Sequence, residues 1–330
     1  MEVDVHAAVL RTFGPARNLR FEEYPDPVAE PGWTVVRLRA SALNWHDVLV
    51  RRGRYASPLP HVIGADGAGV RADTGEEVVI LPSLRWGKDE SAPGGDWQIL
   101  GDHLPGTYAE AVRVPEECAV PKPAGLSWAE AAALPLVGVT AYRALFTRGR
   151  LRAGESLLVL GAGGGVATTA VALAAGIGAR AVVTSSSTEK IEQARELGAV
   201  AGVLYTDADW PAAARELSPG GQGFDLVLDP VGSWSECLRA LRPGGRLVVL
   251  GASRQEHVPI DVRQFYFGQY DLLGTTMGSP RDFAALLALL GSRRIAPPVI
   301  DRTFSLDQAA AAHEHLEQGR AFGKVVLTPN

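Results

Sequence analysis

The sequence predicts an α/β protein in which a parallel sheet, covered by helices on both faces, is joined to a smaller β-rich domain. Three observations carry that prediction. Downstream of Leu126, short continuous apolar runs alternate with helical segments, the pattern of strands buried on both faces and linked by crossover helices. Before Pro121 the chain is instead cut into strand-sized pieces by dense Pro and Gly. At 330 residues it also exceeds one ordinary core, so two domains are expected.

Along the β-rich part, "TVVRLRA" (34–40), "GEEVVIL" (75–81) and "AEAVRV" (109–114) are Val- and Ile-rich strands, and "YPDPVAEPGW" and "SAPGGDW" are loops. Helix takes over at "SWAEAAALPLVGVTAYRALF", where Ser127 is placed to cap and Glu130 stands at capping-box spacing. Then "SLLVLG" (156–161), "ARAVVTS" (179–185), "GVLY" (202–205), "FDLVLD" (224–229), "GRLVVLG" (245–251) and "DLLGTT" (271–276) read as strands of one mostly parallel sheet with right-handed crossovers. After Pro280, the amphipathic runs "RDFAALLALLGSRR" and "DQAAAAHEHLEQGR" flank a strand-like "VIDRTF", and "GKVVL" follows; these do not extend that sheet cleanly.

With 46% hydrophobic and 21% charged residues the chain can bury a sizeable core. A net charge of -5, with both signs interspersed, argues against a nucleic-acid or membrane-surface partner. No apolar run is long enough to cross a bilayer, and the first thirty residues carry no secretory pattern. Cys118 and Cys237 lie far apart without a CxxC, so no disulfide framework is expected. The expectation is a soluble, cytoplasmic protein.

The strand "SLLVLG" runs into "GAGGGVA" (161–167) and then a helix. Small residues at such a turn, Gly161, Gly163, Gly164, Gly165 and Val166, let backbone N–H groups approach a pyrophosphate at the positive end of the helix dipole. An NAD-preferring site ends its second strand with an acid; here Ser185 stands there, followed by Ser186 and, one turn on, Lys190. Hydroxyls and an ammonium suit a 2′-phosphate, so NADP(H) is expected over NAD(H); the alternative is that the serines only cap the helix.

Strings in order along nearly the whole chain carry a resemblance: "SALNWHDVLVRRGRY" (41–55), "LPHVIGADGAGV" (59–70), "GTYAEAVRVP" (106–115), "EAAALPLVGVTAYRAL" (130–145), "GAGGGVA", "ARELGA" (194–199), "FDLVLDPVG" (224–232) and "LRPGGRLVVLGA" (241–252). With them the sequence resembles the medium-chain dehydrogenase/reductase superfamily. The resemblance implies a GroES-like catalytic domain from residues 1–123 and 279–330 and a Rossmann NADP(H)-binding domain, a doubly wound parallel sheet, from 124–278. It also implies a homodimer made through the strand at "DLLGTTM".

In the zinc alcohol dehydrogenases of that superfamily, the string matching "IGADGAG" carries His then Glu after its first glycine, and that His binds zinc. Here Ala65 and Asp66 stand in those places, the cysteine ligand position matches Asn44, and the third ligand position matches Leu136. The region matching the structural-zinc lobe holds no cysteine either. The resemblance therefore implies an enzyme without zinc. Asp66 reads as a loop anchor accepting backbone hydrogen bonds; the spacing of His46, His61, Asp47 and Asp66 allows a replacement metal site, but a pair of ordinary loop histidines is the preferred reading.

Without a Lewis acid, an already electrophilic substrate is the easier target: an enone or quinone, or a carbonyl. The zinc-free quinone oxidoreductase branch does this, and its loop looks like "LNWHDVLVRRGRY". On that resemblance Asn44 is an amide donor near the substrate oxygen, His46 a candidate acid or a plain surface or core residue, and Tyr55 a hydroxyl donor or an aromatic lid. Thr140 falls near nicotinamide, Tyr205 near the 2′-phosphate, and Asp229 and Gly251 flank the cofactor. Lys324 adds charge near the phosphates or is simply exposed. Trp45, Trp86, Trp97 and Phe267 are candidates for an apolar substrate pocket. Two further readings stay open: an NADP-dependent alcohol dehydrogenase acting through His46 or a nonstandard metal site, and a non-catalytic NADPH-binding protein.

Overall fold

The computed structural model describes residues 4–292 and 294–330; Arg293, in the tail of the run "RDFAALLALLGSRR", lies outside them. The chain divides into two compact units, Met1–Val137 with Ser279–Leu287 and Pro297–Asn330, and Gly138–Gly278 with Ala288–Ala296.

In the second unit the described residues form a six-stranded, wholly parallel sheet. Its spatial order is Ala201–Leu204, Arg180–Ser185, Ser156–Val159, Phe224–Asp229, Leu241–Val249, Asp271–Gly274. The strand order reverses beside Ser156–Val159, the arrangement of a doubly wound nucleotide fold. Leu157, Leu158, Val182, Val183, Leu226 and Val227 are all buried, which accounts for the unbroken apolar runs.

The first unit is built on a seven-stranded sheet. Ala119–Pro121, Glu77–Ile80, Asp66–Arg71, Trp33–Ala42, Lys324–Thr328 and Ile300–Ser305 follow in that order, and Ala111–Pro115 also pairs with Trp33–Ala42. Thus "VIDRTF" and "GKVVL", which did not suit the parallel sheet, complete this one as a parallel pair. Helix Trp128–Ala133, capped by Ser127 with the expected reciprocal bonds to Glu130, packs on Trp33–Ala42 and Asp66–Arg71. No helix among the described residues is long and apolar enough to cross a membrane.

Candidate active site

Register brings the first cluster together. Trp33–Ala42 runs antiparallel to each strand it pairs with, and at its end Ala42 lies opposite Asp66 on one side and Val326 on the other. The end of one strand and the starts of two others therefore meet, and Asn44, Asp66 and Lys324 stand at that end. All three are buried, Asp66 completely. The Lys324 ammonium donates to Asn44 Oδ1 at 2.5 Å and to Asp66 Oδ2 at 2.9 Å, and Asn44 Nδ2 donates to the same Asp66 oxygen at 3.0 Å. Asp66 Oδ1 accepts the Leu136 N–H at 2.7 Å, while the Asp66 carbonyl accepts Thr107 Oγ1 at 2.7 Å. Asp66 thus anchors a backbone amide and also holds a buried ammonium. The bare glycines around it have a steric cause: Gly64 has φ +106°, and a Cβ there would lie 2.3 Å from the Tyr108 ring.

Asn44 also starts the helix Trp45–Arg51. Asp47, in its first turn, accepts the Asn44 N–H at 2.7 Å and the Tyr108 hydroxyl at 2.9 Å. Burial pushes the Asp47 carboxyl up to about 6 against the opposing pull of His46, the Asn44 amide and Lys324. One residue earlier, His46 Nε2 lies 2.5 Å from Asp102 Oδ1. The His46 ring also packs against Tyr55, with centroids 4.6 Å apart and planes at 59°. Burial lowers the imidazole's pKa, but Asp102, helped by Asp47, more than reverses this, and the group titrates above its ordinary value. Burial likewise raises the half-exposed Tyr55 phenol, and Asp102 adds to that. His61 takes no part in this pair: its Nε2 bonds the Gly101 carbonyl at 2.8 Å.

In the second unit, Gly161 has φ +80° with open space where a Cβ would stand, and Gly164 precedes the helix Gly165–Gly176. The Gly161 and Ala162 N–H groups bond the Thr184 carbonyl, tying the turn to the second strand. Gly163, Gly165 and Val166 stay partly exposed on it. Ser185 is buried, and its Oγ accepts the Ser187 N–H at 3.1 Å; Ser187 in turn caps the helix Thr188–Glu196 at the Lys190 N–H. Ser186 and Tyr205 are exposed, and Lys190 is half-buried. Asp229 is completely buried and accepts the N–H groups of Val231, Gly232 and Ser233 at 2.7–2.9 Å. Gly251 packs so closely that a Cβ would sit 2.4 Å from the Pro230 carbonyl oxygen. Thr140 is buried with its Oγ1 4.0 Å from Met277 Sδ.

Of the residues expected to act together, Asn44, His46 and Tyr55 lie on one helix and its flanks, and Lys324 joins Asn44. The aromatic candidates do not converge. Trp86 is core and packs edge-on against Trp97, Trp45 is exposed under Arg52, and Phe267, in the other unit, is exposed beside Arg263. Asp102 and Tyr108 were not singled out from the sequence. Their partners lie 56 and 61 positions away, beyond any local spacing signal.

The side chains present fit a dinucleotide and do not fit zinc. The glycine turn leaves room for backbone to approach a pyrophosphate. At the zinc position, Ala65 and Leu136 offer no donor, and Asp66 is occupied by an ammonium that would oppose a second cation. Among the described residues no group of three or more His, Cys, Asp and Glu could hold a metal ion.

Known proteins agree with this architecture. Residues 30–124 match the alcohol dehydrogenase GroES-like domain family, and residues 165–292 match the zinc-binding dehydrogenase family. The zinc-type alcohol dehydrogenase-like protein YogA of Leptosphaeria maculans is 31% identical over 330 residues, covering 91% of this chain and 92% of that protein. The 2-methylene-furan-3-one reductase of Solanum lycopersicum is 34% identical over 301 residues, covering 89% and 71%. A crystal structure of an NAD-dependent alcohol dehydrogenase is 38% identical with a TM-score of 0.93, covering 98% of this chain and 100% of that one. Both family matches fall in order on one chain and the likeness runs nearly end to end, so this protein is an oxidoreductase of the medium-chain dehydrogenase/reductase superfamily, whose members bind NAD(P)(H).

Proposed function

We propose that this protein is an NADPH-dependent reductase of activated C=C bonds or quinones that works without catalytic zinc. One observation carries the reading: of the three positions where the resembling enzymes carry zinc ligands, Ala65 and Leu136 have no donor side chain, and the Asn44 amide is engaged by the buried Lys324 ammonium and by Asp66. The tomato relative supports the substrate class, since the compound in its name is an enone.

A nicotinamide, when bound, would supply a hydride, to the β-carbon of an enone with charge left on its oxygen, or with one proton to a quinone to give the hydroquinone. This chain's part is to bind, orient and deliver the proton. His46, hydrogen-bonded to Asp102, which raises its pKa against the lowering effect of burial, is the donor, and Tyr55 covers its ring. Asn44 has its Oδ1 engaged by Lys324, and its Nδ2 donates to Asp66 and, over a long 3.5 Å, to the Ala42 carbonyl, so donation to a substrate oxygen has to replace that long bond. Thr140 borders the nicotinamide in this reading. On the nucleotide side, Gly161 and Gly163–Val166 take the pyrophosphate, Asp229 and Gly251 shape the neighbouring turns, and Ser186, Lys190 and Tyr205 take the 2′-phosphate. Ser185 is committed to its own turn. Lys324 keeps its charge with Asp66 rather than with a phosphate.

A second reading is supported by the His46–Asp102 pair and by the alcohol dehydrogenase names of the relatives: an NADP-dependent alcohol dehydrogenase in which the imidazole takes the hydroxyl proton. The further expectations are a homodimer through Asp271–Gly274, the edge strand of its sheet, and a cytoplasmic setting, consistent with two buried free cysteines. The test is NADPH and NADH oxidation with quinones, enones and aldehydes, product identification, and metal content of the purified protein. Saturated ketone or hydroquinone as product with no stoichiometric zinc supports the first reading. Alcohol oxidation with one zinc per chain overturns it.

A further inference from the structure

We propose that Asp102 is a positioning residue that holds His46 by its Nε2 and leaves Nδ1 as the nitrogen that exchanges a proton with substrate. The inference rests on the proposed function for the word substrate; the geometry stands without it.

His46 Nε2 meets Asp102 Oδ1 at 2.5 Å, with both side chains largely shielded at 13% and 9% exposure. Among the described residues Nδ1 has no hydrogen-bond partner, and it is not among the fully buried unpaired atoms. One ring nitrogen is therefore committed and the other is open. Tyr55 packs at an angle against the ring and removes one direction of rotation. Asp102 is itself fixed, because its backbone N–H bonds the Ile99 carbonyl at the end of the short strand Gln98–Ile99.

A carboxylate on one imidazole nitrogen settles which nitrogen carries the proton in the neutral ring and stabilises the cation when both do. With Asp102 on Nε2, the neutral ring keeps its proton there, and the second proton binds and leaves at Nδ1. Reduction takes that Nδ1 proton onto the substrate oxygen or carbon that receives negative charge, and the imidazolium returns to neutral. The reverse reaction returns the proton to Nδ1. The titratable groups facing His46 are Asp102 across the ring, Asp47 on its own helix and Tyr55 beyond the helix end. Among the described residues only Asp102 makes a hydrogen bond to the ring.

The test compares wild type, Asp102→Asn, Asp102→Glu and His46→Gln as full-length protein. Nitrogen-15 histidine NMR, with the His46 signal identified by its loss in His46→Gln, reads the tautomer at alkaline pH and the midpoint of titration. The expected result is an Nε2–H tautomer in wild type, and in Asp102→Asn a mixed tautomer with the midpoint moved down. In turnover with NADPH, Asp102→Asn is expected to lower kcat on the order of ten- to a hundredfold with little change in KM for NADPH. The rate should also decline at lower pH than in wild type, and Asp102→Glu should recover part of kcat. An unchanged His46 tautomer and midpoint in a folded Asp102→Asn protein overturns the proposal. So does an NMR change with no effect on kcat or its pH profile in an enzyme that turns over. If wild type oxidises NADPH with none of the substrates, the proposed function fails, while the NMR comparison alone still decides whether Asp102 sets the state of His46.

Discussion

Two aspartates, each completely buried, are held in opposite ways. Asp229, at the end of strand Phe224–Asp229, is surrounded by the amides of the turn that follows it, two to four residues on. Burial still pushes its carboxyl pKa up, against the pull of those amides. Asp66, at the start of strand Asp66–Arg71, draws its partners from 22, 70 and 258 positions away, and one of them is an ammonium. The first carboxylate shapes a turn; the second joins three distant parts of the chain, a helix cap, a helix and a strand. A buried charge held locally tests a loop, whereas one held remotely tests the tertiary structure.

The largest expected effect follows from removing the remote partner. Lys324→Met keeps an apolar stem of similar length and deletes the charge, leaving Asp66 buried with two neutral donors. Breaking one side of a buried pair costs about 3–5 kcal/mol. A loss of that size in chemical denaturation, without a change in m, is the expected outcome. A midpoint equal to wild type would mean that the ammonium contributes nothing there, and the contrast with Asp229 would collapse.

Asp47 sharpens the same point through pH. Its carboxyl stands at about 6 in the folded protein, above an unfolded value of 3.8, so the native state holds the proton more tightly than the unfolded chain. Its contribution is greatest below the unfolded value and is lost as pH rises through about 6. Asp47→Asn cannot ionise and escapes this loss. The variant is expected to gain on wild type by about 3 kcal/mol between pH 3.5 and 7.5, from about 1.4 kcal/mol per unit. Parallel stability curves for the two proteins across that range would contradict it.

Removing half of a local partner should matter less. In Asp229→Asn one carboxylate oxygen becomes an amide nitrogen, which must face an N–H donor of Val231, Gly232 or Ser233. One unpaired amide costs about 1–3 kcal/mol. A loss larger than that of Lys324→Met would invert the comparison.

The same distinction between local and remote explains what the sequence makes legible. Strands buried on both faces, such as Ser156–Val159 and Phe224–Asp229, announce themselves as unbroken apolar runs, and the capping box at Ser127 and Glu130 is readable from spacing. "VIDRTF" and "GKVVL" show as strands, but the sheet they join depends on pairing with Trp33–Ala42, which no local pattern encodes. Asn44, His46 and Asp66 stand out because of the strings around them. Lys324 stands out too, yet its place beside Asp66 follows from strand register, and Asp102 meets His46 through a loop contact with no periodic signature. Trp86 and Trp97 show the converse: aromatics suited by composition to a pocket pack edge-on against each other instead, Trp86 buried and Trp97 half-buried.

The smallest expected effect separates two kinds of serine in the nucleotide-binding unit. Ser185 and Ser187 spend their hydroxyls on the turn and the helix cap, whereas Ser186 between them is exposed. Ser187→Ala should therefore cost about 1 kcal/mol of stability as a lost cap and leave cofactor choice unchanged. Ser186→Asp should leave stability nearly unchanged and place a carboxylate among the groups assigned to the 2′-phosphate. Repulsion of about 1.4 kcal/mol would lower the NADPH-to-NADH affinity ratio roughly tenfold. Titration of both nucleotides by fluorescence checks this. If Ser187→Ala moves the ratio and Ser186→Asp does not, the phosphate is read by the turn's own geometry, and the hydroxyl between the two structural serines has no part in cofactor choice.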